Sequence, residues 1–189
     1  MNLKKLLTFI LAFFLTILFS AYQRVTGPTH PFKAKLKFLD QEYKFKLPRS
    51  EITGKDAKIT LPFTDNVLKG KLFFKNISEG KEWEEVEFKR EGRELVAFLK
   101  SLPPAGKYLY YVKVNYFEKS IQIPEKPISL RFKGKVPPLI LIVHIFFVFF
   151  GFLIAIYTGF ITFFFGEDKK LVLLTFILFF IGAGFLGPI

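Results

Sequence analysis

The sequence contains no cysteine, one methionine, one tryptophan and only two histidines, His30 and His144. Without thiols there is no disulfide framework, no cysteine nucleophile and no cysteine metal cage, so ordinary packing must hold whatever folds. Two histidines cannot assemble a transition-metal cluster without carboxylates that the sequence does not place nearby. Walker loops, G-x-G-x-x-G, H-E-x-x-H and G-x-S-x-G are all missing, which removes the commonest signatures of nucleotide, zinc-protease and serine-hydrolase chemistry. Charge is nearly missing from the two end segments as well. Residues 6–22 carry none, and residues 137–189 carry only Glu167, Asp168, Lys169 and Lys170.

What remains is concentrated in the middle. Of 28 basic and 16 acidic side chains, four lysines (4, 5, 169, 170) and two acids (167, 168) lie outside residues 24–135, leaving 24 against 14, a balance of +10. A block of that length is the size of one domain and can bury its own core. Abundant Lys, Glu and Phe beside a single Met resembles the bias of heat-loving organisms.

"LLTFILAFFLTILFSAY", Leu6 to Tyr22, is near the lower length limit for crossing a hydrocarbon core of about 30 Å. A signal peptide is the competing reading, but "FSAYQ" fits an A-x-A cleavage site poorly, so an uncleaved anchor over residues 1–22 is expected. Lys4 and Lys5 would keep the N-terminus in the cytoplasm and send residues 23–135 outward. The run from Pro137 to Gly166 brings the chain back, and its length requires tilt or an interfacial "FITFFF" end. "GEDKK" then supplies Lys169 and Lys170 on the inside, and a third run from Leu171 goes out again. The expectation is a C-terminal transmembrane hairpin over residues 136–189, with spans of about 138–160 and 171–188, in a bacterial inner membrane, the β-domain being periplasmic or extracellular.

Between the spans the periodicity is two. "FKAKLKFLD", "YKFKL", "KITLPF", "KGKLFF", "YLYYVKV", "SIQIP" and "ISLRFKG" alternate apolar and polar residues, and "PRSEITGKD", "TDNVLKG", "KREGRE" and "LPPAGK" read as turns. About seven strands predict an all-β sandwich of immunoglobulin or fibronectin-III type. The whole is thus an α+β membrane protein: an N-terminal transmembrane helix, an extracytoplasmic sandwich and a helical hairpin. Tyr108 and Tyr110 after the "LPPAGK" turn are either a corner brace or simply one strand's inward face. The aromatics are expected to alternate inward as core, which argues against a base-stacking platform and against nucleic acid. The short connection from "RFKGKVPP" to the second span is expected to hold the domain close to the bilayer.

Few residues suggest chemistry. "EWEEVEFKREGRE" reads as a solvated, alternating-sign face and not as a calcium or carboxylate site. His144 lies about 10 Å along the second span from Pro137, where an ionisable group is expensive and raises a functional reading: proton relay, haem ligand with His30, or hydrogen bond. The plainer reading is a neutral imidazole bonded to a neighbouring helix. Gly151, Gly159, Gly182 and Gly184 are candidate helix-packing positions, since small residues let helix backbones approach. The basic surface has three readings: solubility, contact with anionic headgroups, or an acidic partner.

The most unusual stretch is "YQRVTGPTHPF". Tyr22 suits an interfacial anchor, Arg24 can snorkel to phosphates, Pro28 and Pro31 stiffen the exit and Gly27 permits a turn. Tyr22, Gln23, Arg24, Thr26, Gly27, Pro28, Thr29 and Pro31, with His144, are therefore the candidate junction residues, expected to pack beside residues 136–138. With "LPPAGKYLYYVKV" and "RFKGKVPPLILIVHIFFVFFGF", this element resembles a group of uncharacterised bacterial integral membrane proteins. In that group a Y-Q-R-x-T-G-P-T-x-P element precedes a β-domain, and a V-P-x-x-L-I-x-H-like run enters the next span. The resemblance implies no activity. It implies that His144 matches a histidine of the group's pattern, that the position of His30 is more often tyrosine, and that relatives continue beyond "LGPI".

The sequence thus predicts a non-enzymatic membrane protein with no cofactor or metal, an accessory or scaffolding subunit that meets the lipid bilayer and a protein partner or a second copy. The alternative from a different class is a membrane redox or proton-handling component using His144 with Arg24.

Overall fold

The computed structural model describes residues 2–38, 41–65, 67–80, 82–116 and 119–187. Its contacts separate the chain into two units: residues 1–27 with 136–189, and residues 28–135. The molecule is α+β, with an apolar helix at the N-terminal end, a β core and apolar helices at the C-terminal end.

In the helical unit, α1 (Leu3–Thr26) starts at Asn2, whose side chain accepts a hydrogen bond from Lys4 N, and ends with Arg24 in the turn where the helix dipole favours a cation. It runs four residues past the end expected at Tyr22, because nothing between Gln23 and Thr26 breaks a helix. α2 (Pro138–Phe165) has Pro in its first turn, where the missing N–H costs no helical bond. It continues without a break through "FITFFF", beyond the expected end near residue 160. Both α1 and α2 are long and apolar enough to cross a membrane.

After α2 the chain turns at Gly166 (φ 96°), and Asp168 caps α3 (Lys169–Phe179) by accepting from Lys170 N and Leu171 N. The third apolar run differs from expectation. Its α-helical part covers only 11 residues, about 16 Å, and then gives way to a π-helical turn, Phe180–Phe185. Residue 188, the last of the expected 171–188 span, lies outside the described residues, as does 189.

Contacts set the helix directions. Lys5 Nζ lies 5.7 Å from the Phe165 ring and Phe9 meets Tyr157 edge-on, so α1 is antiparallel to α2. Thr158 meets Thr175 at 3.3 Å and Phe152 meets Phe179, so α3 is antiparallel to α2 as well. Lys4, Lys5, Lys169 and Lys170 consequently gather at one end of this unit.

The β unit contains ten strands among its described residues: β1 (Phe32–Phe38), β2 (Gln41–Leu47), β3 (Ser50–Ile52), β4 (Ala57–Leu61), β5 (Lys69–Asn76), β6 (Glu84–Glu87), β7 (Lys89–Glu91), β8 (Glu94–Leu99), β9 (Lys107–Tyr116) and β10 (Lys119–Lys133). The expected count was about seven. Two of the additions, β3 and β7, are three-residue strands inside stretches that read as turns, and three residues are too few to display alternation.

A five-stranded sheet runs β3-β10-β9-β5-β6, a three-stranded sheet β4-β8-β7, and β1 with β2 forms a separate hairpin. All pairs are antiparallel except β3 with β10. One core joins the three. Ile59 and Leu61 of β4, Leu72 of β5, Tyr110 and Val112 of β9, Leu130 and Phe132 of β10 and Leu47 of β2 are fully buried in a single cluster. Phe63 ties the hairpin to it, meeting Tyr43 and Phe45 edge-on.

Candidate functional site

The stretch from Tyr22 to Phe32 is divided between the two units. Tyr22, Gln23, Arg24 and Thr26 lie on the last turns of α1, all exposed, and are not part of an extended exit. Thr26 Oγ1 donates to Tyr22 O at 2.8 Å, which satisfies a carbonyl near the helix end. Gly27 is needed for a reason other than turn conformation. Its φ of −58° suits any residue, but a Cβ there would stand 2.7 Å from Gln23 O. Pro28 and Thr29 form a turn, and Pro31 leads directly into β1. Arg24 makes no hydrogen bond or ion pair with another described residue.

His144 sits in the second turn of α2, half-buried, with Nδ1 2.8 Å from Gly182 O on the π-helical turn. A carbonyl oxygen only accepts, so in this contact Nδ1 carries a proton and donates it. The Gly182 carbonyl is available because of the π geometry. Leu186 N, which would bond it in a regular α-helix, donates instead to Ile181 O at 3.0 Å. His144 thus closes an orphan carbonyl across the hairpin. Arg24 and His144 belong to the same unit, with no hydrogen bond between them.

The four glycines divide. Gly182 packs against α2 so tightly that a Cβ would come within 3.0 Å of Phe147 Cβ and Val148 N, and Gly151 faces the Phe179 ring at 3.3 Å. Around Gly159 nothing lies within 4 Å, and Gly184 is 3.7 Å from Phe180 of its own segment. Closer helix approach is also made by residues the sequence reading passed over: Ala12 and Thr16 of α1 are buried, and Leu153 and Ile161 of α2 are buried with them. Small residues four apart on one helix are the signal that could have found the first pair.

In the β unit, Tyr108, Tyr110, Val112 and Val114 are all buried. Tyr110 OH also donates to Pro48 O at 2.7 Å, so this tyrosine is at once inward face and brace. Burial pushes its phenol well above the usual value, with Arg49 pulling weakly the other way.

The expectation that the aromatics all turn inward needs correction. Phe73 and Tyr111 stack at 5.1 Å on directly paired positions of β5 and β9, Trp83 lies 5.0 Å from Tyr111, and Lys113 Nζ covers Phe73 at 4.8 Å. These residues occupy the alternate, solvent-side positions, and Trp83 is 42% exposed. Beside them Lys71 bonds Glu85 at 2.8 Å, which raises its pKa. The row is one stacked cross-strand pair, Phe73 with Tyr111, flanked by Trp83 edge-on to Tyr111 and by Lys113 over Phe73.

Among the described residues no group of three or more His, Asp or Glu side chains is arranged to hold a metal ion. Among the described residues, the buried polar atoms Arg49 Nε and Thr53 Oγ1 have no hydrogen-bond partner, and both belong to the segment around β3. Comparison with protein-family models gives no match, and comparison with curated proteins gives none either.

Proposed function

We propose that the chain is an integral membrane protein that presents a basic β-sandwich as the docking domain of a membrane complex, acting as an accessory or scaffolding subunit. The surface of the helical unit carries this reading. Leu7, Leu11, Phe14, Leu18, Leu139, Ile142, Phe146, Phe163, Leu173 and Phe176 all face outward, an apolar area that a water-soluble protein would not leave uncovered. Charge is confined to the ends. Four lysines at one end match a cytoplasmic side, and Arg24 at the other suits the outer headgroups.

The order β10-β9-β5-β6 opposite β4-β8-β7, with β3 parallel to β10, supports an immunoglobulin or fibronectin-III type for the sandwich. The β1–β2 hairpin is an addition to that pattern. The resemblance to bacterial integral membrane proteins carrying a Y-Q-R-x-T-G-P-T-x-P element agrees with this placement and assigns no chemistry.

The natural lack of cysteine makes the test direct. Ser101→Cys in the β unit and Glu167→Cys in the α2–α3 turn each create a unique thiol. In intact cells an impermeant maleimide should label Ser101→Cys alone, the second thiol reacting only after the membrane is opened. Labelling of both without permeabilisation, or of Glu167→Cys alone, would refute the orientation. Native mass analysis of detergent extracts tests the subunit role, and a bare monomer with no stoichiometric partner would count against it.

A further inference from the structure

The hairpin and the five-stranded sheet leave a groove between them that neither closes. It has a volume of about 630 Å³ and lies between Phe32–Leu36 of β1 and Ile121–Ile128 of β10. Both walls are strand edges. Among the described residues β1 pairs only with β2, and the side of β10 away from β9 is occupied by β3 only at Arg131–Lys133. An unpaired edge presents alternating N–H and C=O groups, a template for another extended chain.

The two edges are not equivalent. Along β10 the pairing with β9 shifts between Ile123 and Ile128, and the intervening residues include Pro124 and Pro127, which have no N–H to offer. Gln122 Nε2 further occupies the carbonyls of Pro124 (3.4 Å) and Glu125 (2.8 Å). β1 carries neither proline nor bulge between Phe32 and Phe38. A guest strand would therefore add to β1, with the β10 bulge as its far wall.

The side chains specify the guest. On its inner face the groove offers Ala34, Leu36, Ile121 and Ile123, and on its outer side Lys33, Lys35 and Lys126 against the single acid Glu125. Among the described residues Lys33 and Lys126 are exposed without an ion partner, and Lys35 has only a long contact of 3.9 Å to Glu42. Neighbouring strands share a face at opposed positions, so a strand added to β1 would place alternate residues inward against the isoleucines and the others beside the lysines.

We propose that this groove receives, by strand addition along β1, an extended segment of a partner protein in which apolar and acidic residues alternate. The inference deepens the docking role assigned to the β unit and rests on it.

Full-length protein in detergent micelles is titrated with a fluorescent, N-acetylated octapeptide alternating valine and glutamate, and with its valine–lysine counterpart. The valine–glutamate peptide should bind saturably and protect β1 amides from hydrogen exchange. The double variant Lys33→Glu with Lys35→Glu, both exposed positions, should weaken it by about tenfold and turn preference toward the lysine peptide. Equal affinity of wild type and variant, or protection at a strand other than β1, overturns the proposal. So does concentration-dependent self-association abolished by the same variant, which would make a second copy, through its acidic Glu84–Glu87 strand, the occupant. Binding in micelles needs neither a bilayer nor an orientation, so failure here is distinct from failure of the thiol-labelling test.

Discussion

At Tyr110 the ring is fully enclosed and its hydroxyl reaches Pro48, 62 residues earlier in the chain. The period-two pattern of "YLYYVKV" already turned Tyr108, Tyr110 and Val112 to one face, but no local rule reveals the partner of a hydroxyl so distant in sequence. Burial raises the pKa of this phenol in the folded protein above that of the unfolded chain, about 10. The protonated form is therefore favoured by folding, and its contribution is fully present below pH 10. It is lost as pH rises from there toward the folded value, because only the native state still holds the proton, with a limiting slope of about 1.4 kcal/mol per pH unit. Tyr110→Phe should lower stability by about 1–2 kcal/mol at neutral pH through the unpaired Pro48 carbonyl, and should flatten the alkaline decline. Urea unfolding at neutral pH and above pH 10 measures both effects.

Between elements, glycine count was a poorer guide than glycine placement. Four glycines in the two C-terminal helices read alike as packing positions, yet only Gly151 and Gly182 face another helix closely. Which side of a helix meets a neighbour depends on the rotation of both, and mean hydropathy all round α2 leaves no polar stripe to indicate it. Gly182→Ala should push the π-helical turn away from Phe147 and Val148 and destabilise the hairpin by about 1–3 kcal/mol. Gly159→Ala, with open space around it, should be neutral or stabilising by up to about 1 kcal/mol, the helix propensity difference. Thermal denaturation of both variants in one detergent provides the comparison, and equal destabilisation would show that the α2–α3 contact is not as close as described. His144 belongs to the same seam. Its singular place in an apolar run could be read from the sequence, but its role as a cap could not, because the π turn that frees Gly182 O is a feature of the folded helix pair.

Across the whole molecule, the chain keeps two sets of contacts, one among helices and one among strands. The single tryptophan, Trp83, stands in the β unit against Tyr111. Its emission therefore reports strand unfolding alone. In detergent, urea should produce a transition in Trp83 emission while the helical circular dichroism signal persists, because the helices close their backbone bonds within each segment and detergent covers their apolar surface. Loss of both signals at one midpoint would show that the two units unfold together.

Sequence alone determined the segregation of charge, the two apolar runs that became α1 and α2, and the strands long enough to alternate, since each depends on hydropathy within a short window. The tertiary structure decided the rest. It set the extra short strands, the outward aromatic row on β5 and β9, the partners of Tyr110 and His144, and the open edge of β1, because each of these depends on which distant segment lies alongside.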